Sequence, residues 1–384
     1  MQVVHLNITD FRNYETADIA FLPGSNVFFG SNGQGKTNLI EALGYLSTLG
    51  SHRVSTDQAM IRRDAESAII RAQIRHDERQ ILAEVQLNRT GPNRAQINRS
   101  VIRVRELPRY FARVLFAPED LSLIRGDPTG RRKFLDELLV LRAPRFSSVL
   151  ADYERVLKQR NSLLKSARSA RSAAGTLTTL EIWDEQLVSL GSELVMAREI
   201  LVLELAPVVI RCYRSVAGED HRPTMSLQSS LSSDSVGSGE FAGSPSLSQI
   251  QGKFREALER VRQAEVERAV TLIGPHRDDL VLGLNAMPAK GYASHGESWS
   301  LALALKLAAA ELLRLESTTG DPVLVLDDVF AELDRSRRAR LAEAIVGFEQ
   351  VLITAAVLED VPEALAAHTV RVDRGRVGEK GESQ

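Results

Sequence analysis

The segment Gly30-Ser-Asn-Gly-Gln-Gly35-Lys36-Thr37 constrains this chain more than any other, because it fits G-x-x-x-x-G-K-[ST]. Asn26 to Phe29 form an apolar strand running straight into Gly30, and Leu39, Ile40, Leu43, Leu46 and Leu49 recur at helical spacing behind it. Strand, glycine loop and helix in that order make a phosphate cradle. Glycines let the loop through Gly30, Ser31, Asn32, Gly33, Gln34 and Gly35 turn its backbone N–H groups inward on phosphate oxygens, and the helix N-terminus adds partial positive charge. Lys36 then meets the β- and γ-phosphates, and Thr37 offers a hydroxyl to Mg²⁺. The expected ligands are ATP and Mg²⁺.

Mg²⁺ also needs a carboxylate at the end of a buried strand, and Val323-Leu-Val-Leu-Asp327-Asp328 offers two in succession. Asp327 is the metal-side candidate. Neighbouring strand residues face opposite ways, which leaves Asp328 to orient an attacking water as general base. Lys36 and Asp327 stand 291 residues apart, whereas a compact P-loop kinase or GTPase would set its acidic strand much closer. A large segment must be inserted between them.

The hydropathy pattern locates that segment. Val3, Val4, Leu6 and Ile8 open a first strand, and short apolar runs between 66 and 104 predict antiparallel hairpins. From Thr129 to Val270 the spacing turns helical, through Phe146, Val149, Tyr153 and Val156, then Trp183, Leu187 and Leu194, then Phe254, Leu258 and Val261. Pro322 to Leu326, Val351 to Thr354 and Thr369 to Val372 read as buried parallel strands. The chain is therefore expected to be α/β, with 1–128 and 271–384 forming one discontinuous head and 129–270 a short helical arm inserted into it. Ten serines between Ser226 and Ser248 mark a flexible loop inside the arm.

Bulk composition adds exclusions. A chain of 384 residues with 43% hydrophobic and 26% charged residues is neither disordered nor a disulfide scaffold. Its single cysteine, Cys212, lies in an apolar run that predicts a buried thiol, as in a reducing cytosol. No run reaches the ~18 apolar residues of a membrane span, so a cytoplasmic location is expected. A formal net charge of −2 leaves room for nucleic-acid contact only at patches. Two exist: residues 89–113 carry seven arginines against Glu106 alone, and residues 131–171 carry eleven Lys and Arg against four acids. Each could neutralise phosphates or could equally be a solvated protein face. His276, without a cysteine or a second close histidine, is read as structural or nucleotide-linked.

Ser294-His-Gly-Glu297 precedes a Leu- and Ala-rich helix, so Ser294 and Gly296 make a second anion site at a helix N-terminus or, alone, a plain helix cap. The P-loop, a distant Ser-x-Gly-Glu, the acidic strand and Ala331-Glu-Leu-Asp334 together resemble the ABC-type ATPase heads of the SMC group. Asp10-Phe-Arg-Asn-Tyr14, Phe116-Ala-Pro-Glu-Asp-Leu121, Gly130-Arg-Arg-Lys-Phe-Leu-Asp136, Gly274-Pro-His-Arg-Asp-Asp-Leu280 and Leu326-Asp-Asp-Val-Phe-Ala-Glu-Leu-Asp334 narrow the resemblance to the RecF family. That resemblance implies a P-loop ABC-type head with an inserted arm and an ATP-dependent homodimer in which Ser294 and Gly296 address the other subunit's nucleotide. It also implies binding to duplex DNA or gap borders, work with RecR and RecO in loading RecA, and slow hydrolysis. Two departures from the general ABC pattern stand out: Asp328 replaces a glutamate, and Ile353-Thr-Ala-Ala holds no switch histidine. A transporter ATPase subunit would need a shorter interval and that histidine, and a non-catalytic module would bind ATP only to fold.

Overall fold

The structure, a computed structural model, describes residues 1–379 apart from 52, 55, 170–173 and 232–245. In chain order, β1 (Gln2–Phe11) and β2 (Tyr14–Ala20) form a hairpin, β3 (Gly24–Phe29) ends at the glycine loop, and α1 (Lys36–Thr48) starts at its lysine. β4 (Ser67–His76), β5 (Arg79–Asn88), β6 (Arg94–Ile97) and β7 (Ser100–Ile102) are the expected hairpins. β8 (Arg113–Phe116) and α2 (Leu121–Arg125) precede the helices α3 (Pro128–Arg142), α4 (Phe146–Ser169) and α5 (Ala174–Ala217). β9 (Thr224–Gln228), α6 (Leu247–Arg268), β10 (Asp279–Leu284), β11 (Met287–Pro288) and α7 (Ala289–Tyr292) follow. The chain ends through α8 (His295–Glu316), β12 (Val323–Asp327), α9 (Arg335–Ile345), β13 (Gln350–Ala355), β14 (His368–Asp373) and β15 (Arg376–Glu379).

Two compact units result, one of Met1–Ile124, Val208–His221 and Ala293–Gln384, the other of Arg125–Pro207 and Arg222–Tyr292. The first unit holds two six-stranded sheets. One, in order β2-β1-β4-β5-β6-β7, is antiparallel, and β4 shows why: Ala68, Ile70, Ala72 and Ile74 are buried while the residues between them are not. The other runs β15-β14-β3-β13-β12-β8, parallel except at β15, and its central β12 and β13 are buried at every position. Helix α1 packs on β1 and β4 of the first sheet and on β12 and β13 of the second, with Leu39, Leu43 and Leu46 in the core. The far ends of the chain thus share one sheet, with the intervening segment inserted.

The division falls elsewhere than at the expected 129 and 270. The second unit runs on to Tyr292 because β9, β10 and β11 form a three-stranded antiparallel sheet within it, so it is not purely helical. Helix α5, at 44 residues or ~66 Å, also outruns the expected arm helices, and its last residues belong to the first unit. Both ends of the serine-rich segment expected as a loop over 226–248 carry regular structure. Ser226 sits in β9 opposite Val281, and Ser246 caps α6 in a capping box with Gln249; residues 232–245 lie outside the described residues. Serine is common in loops, but here it also serves as strand residue and helix cap.

Arginines organise the second unit's interior. Arg160 is fully buried, with its guanidinium on Asp184 at 2.7 Å, Glu265 at 2.6 Å and the Thr271 hydroxyl at 2.9 Å. Replacing it with methionine leaves two acids without their main cation. Arg160→Met is expected to destabilise the protein by about 3–5 kcal/mol in chemical denaturation; a loss under about 1 kcal/mol would mean the pair is dispensable.

Candidate functional site

The glycine loop is shaped by positions that tolerate no side chain. Gly30 has φ 152°, and a Cβ there would lie 2.2 Å from the Val372 carbonyl oxygen; Gly35 has φ 115°, and its Cβ would lie 2.7 Å from the Tyr14 hydroxyl. Lys36 is buried, and its ammonium turns back into the loop to donate to the carbonyls of Gly30 at 2.8 Å and Ser31 at 3.3 Å. Neighbouring turns pin the outer side. Asn13 Nδ2 and the Gly375 amide both donate to the Gln34 carbonyl, and the Arg374 amide donates to Gln34 Oε1 at 2.6 Å.

Next to the loop, Thr37 Oγ1 donates to Asp327 Oδ1 at 3.0 Å, joining side chains 290 residues apart. This follows from sheet order, since β3 and β12 both pair in parallel with β13 and end on the same side. Asp328 leaves the strand in a left-handed conformation, φ 52°, so its carboxyl departs in another direction. Its Oδ1 is buried and has no hydrogen-bond partner among the described residues. Burial pushes the Asp328 carboxyl above the usual range, against the opposing pull of Lys36. Lys36, Thr37, Asp327 and Asp328 therefore converge. Hard oxygen donors at the mouth of a loop whose lysine points inward fit a nucleotide triphosphate and Mg²⁺.

Ser294 and Gly296 lie apart from that cluster in their hydrogen bonding. Ser294 caps α8 by accepting from the Glu297 amide at 3.3 Å, while Glu297 Oε2 accepts from the Ser294 amide at 2.8 Å. The Ser294 side chain holds Glu297 below the usual carboxylate range. Both Ser294 and His295 are exposed, so the helix N-terminus is open to an incoming group. Behind it, Arg337 bonds Ser300 Oγ at 3.2 Å and Asp334, and a Cβ on Gly296 would lie 2.7 Å from its guanidinium.

Several contributors were not legible as site residues. Thr354 Oγ1, in β13, donates to Asp327 at 2.6 Å. Arg12 makes a bidentate pair with Glu41 at 2.7 and 2.6 Å, and beside it an open cleft of about 760 Å³ is lined by Arg12, Arg53, Arg63 and Arg89 together with Asn13, Asn38, Asp64 and Glu66. The Asp-Phe-Arg-Asn-Tyr block carried these residues without revealing their task.

The two basic patches fare differently. In 131–171, Arg131 pairs with Asp279, Arg142 with Glu204, Arg145 with Glu193 at the surface, and Arg160 is buried, whereas Lys133, Arg155, Lys158, Lys165 and Arg168 are exposed. In 89–113, Arg113 is buried and Arg89 binds backbone carbonyls, but Arg94, Arg99, Arg103, Arg105 and Arg109 are exposed. His276 proves structural. Its Nε2–H donates to the Thr271 carbonyl, its Nδ1 accepts from Tyr153 at 2.7 Å, and burial lowers its pKa to about 4. Cys212 is buried as expected, and no helix among the described residues is long and apolar enough to cross a membrane.

Comparison with known proteins places this geometry. Residues 2–377 match the family described as RecF/RecN/SMC N terminal domain. A DNA replication and repair protein RecF from Leifsonia xyli subsp. xyli is 60% identical over 383 residues, 99% of this chain and 100% of the relative. One from Streptomyces avermitilis is 51% identical over 98% of this chain and 99% of its own. The solved structure of the recombination mediator protein RecF-ATP in the RecFOR pathway superposes with a TM-score of 0.86 at 27% identity, covering 98% of this chain and 97% of that one. An Smc head domain from Pyrococcus yayanosii, at 13% identity and a TM-score of 0.55 over 98% of this chain and 96% of its own, shares the fold. The chain is an ABC-type α/β ATPase head with an inserted unit, and it belongs to the RecF family.

Proposed function

We propose that the chain is an ATP-dependent DNA-binding protein of recombinational repair and replication, a slow ATPase that acts as a nucleotide-induced homodimer. The observation that carries this reading is the meeting of Lys36 and Thr37 with Asp327 and Asp328 across 290 residues of chain. Lys36 holds the β- and γ-phosphates with the amides of the loop, and the arginine-lined cleft beside Asn13 takes the nucleoside side of ATP. Thr37 and Asp327 hold Mg²⁺, which when bound neutralises phosphate charge. Asp328 accepts a hydrogen bond from the attacking water on its unpartnered oxygen. An aspartate reaches less far than a glutamate, which suits slow turnover.

One copy's glycine loop supplies half of the site. The exposed N-terminus of α8, with Ser294 and Gly296, supplies the other half to a second copy's γ-phosphate. ATP thereby becomes part of the dimer interface. The five exposed arginines between Arg94 and Arg109 contact duplex backbone at gap borders, without the aromatic side chains that stacking on single strands would need. The RecFOR pathway named for the structural relative supports RecO and RecR as partners; RecA loading in the cytoplasm is the outcome this reading assigns.

Two measurements check this. Saturating Mg-ATP is expected to stabilise the wild-type protein, by about 2.7 kcal/mol at a hundredfold excess over Kd, and to leave Lys36→Ala unshifted; an equal shift in both would remove the loop from the account. In fluorescence anisotropy with a labelled gapped duplex, Mg-ATP is expected to tighten binding and added salt to weaken it. Replacing Arg99, Arg103 and Arg105 with alanine should lower the log–log salt slope by about 0.9 per arginine that contacts phosphate. Binding indifferent to ATP, or a slope unmoved by those replacements, would contradict the DNA assignment.

A further inference from the structure

β13 lies between the strand that ends in the glycine loop and the strand that ends in the two acids. Its residue Thr354 registers with Asp327 on one side and Phe28 on the other. The side chain is fully buried, and its hydroxyl makes two bonds of opposite sense. Oγ1 donates to Asp327 Oδ1 at 2.6 Å and accepts from the Asp328 amide at 3.0 Å. Because an amide can only donate, the single hydroxyl proton is directed at the carboxylate.

Both consequences bear on the acids. The Asp327 oxygen that receives Thr354 also receives Thr37, so one hydroxyl from β13 and one from the first turn of α1 fix that carboxylate's rotation. The Asp328 amide, held by Thr354, sits at the start of the left-handed turn, φ 52°, that carries the Asp328 carboxyl away from Asp327. Asp328 Oδ1 is left buried and without a partner among the described residues, while Asp327 Oδ1 is satisfied twice. The same hydroxyl thus treats the two carboxylates differently.

We propose that Thr354 is the positioning residue that assigns separate roles to the two acids, holding Asp327 toward Thr37 for the cation and turning Asp328 toward the attacking water. It lies in β13, one residue before the strand ends, and it acts through the acids rather than on the phosphate. This inference rests on the nucleotide reading given above.

Two substitutions separate it from a merely structural role. Thr354→Val keeps shape and strand preference but lacks the hydroxyl, whereas Thr354→Ser keeps it. With Mg²⁺ titrated into protein and a fluorescent ATP analogue, Thr354→Val is expected to need about tenfold or more Mg²⁺ for half-maximal binding, while binding of the metal-free analogue is unchanged. Its kcat at saturating Mg-ATP falls and its KM for Mg-ATP does not, and Thr354→Ser restores the Mg²⁺ midpoint and kcat. A lower melting temperature with an unmoved Mg²⁺ midpoint would overturn the proposal, as would a serine variant as impaired as the valine one. If the valine variant does not fold, Thr354→Ala carries the same test. A wild-type protein that binds no analogue at all strikes at the nucleotide reading, whereas normal wild-type binding with an unaffected Thr354→Val strikes at Thr354 alone.

Discussion

The hydrogen bond from Thr37 to Asp327 is the point on which the rest depends, because it closes the chain on itself across 290 residues. Neither residue can reach the other unless β3 and β12 lie two places apart in one parallel sheet, and β13 between them sets that distance. The glycine loop must then curl tightly enough for Lys36 to sit inside it, which Gly30 and Gly35 permit at positions where any Cβ would collide. Everything between residues 125 and 292 is compatible with this closure only as an insertion, apart from the last part of α5, which returns to the first unit.

The second unit answers a different physical problem. It buries cations and acids together, and isolated burial of either is costly. The blocks Gly130-Arg-Arg and Gly274-Pro-His-Arg-Asp-Asp turn out to be bonded to one another. Arg131 pairs with Asp279 at 2.7 Å, Arg132 donates to the Asp278 carbonyl, and Arg198 joins Asp136 to the Pro275 carbonyl. Asp278 is held by the Ser230 amide, and burial raises its carboxyl. These arginines therefore hold the unit together, and of the 131–171 charge they engage Arg131 and Arg132, while Lys133, Arg155, Lys158, Lys165 and Arg168 are exposed.

Legibility from sequence followed the range of the interaction. The loop, its strand and helix, and the acid pair were readable because each is a short run whose residue types have one good physical use. The alternation in β4 and the unbroken apolar run of β12 likewise announced antiparallel and parallel sheet. Boundaries were missed where composition misleads: Ser226 and Ser246 look like loop residues yet serve a strand and a cap. Thr354, Arg12 and Arg337 carried no local signal, because their roles exist only once β13, α1 and α9 have packed against other elements. The one hint at Thr354 was an absence, the histidine not found in Ile353-Thr-Ala-Ala. The exposure of Arg94 to Arg109 and the pairing of Arg131 and Arg142 could not be separated by counting charges.

The central claim is that ATP completes its site only between two copies, with the glycine loop of one facing Ser294 and Gly296 of the other. Sedimentation velocity with and without Mg-ATP tests this most directly, on the wild-type protein and on Ser294→Arg. The expected result is a wild-type monomer that becomes a dimer with Mg-ATP, and a Ser294→Arg protein that is still stabilised by Mg-ATP yet stays monomeric. A wild-type protein that remains monomeric at saturating Mg-ATP, or a Ser294→Arg variant that dimerises as the wild type does, would contradict it.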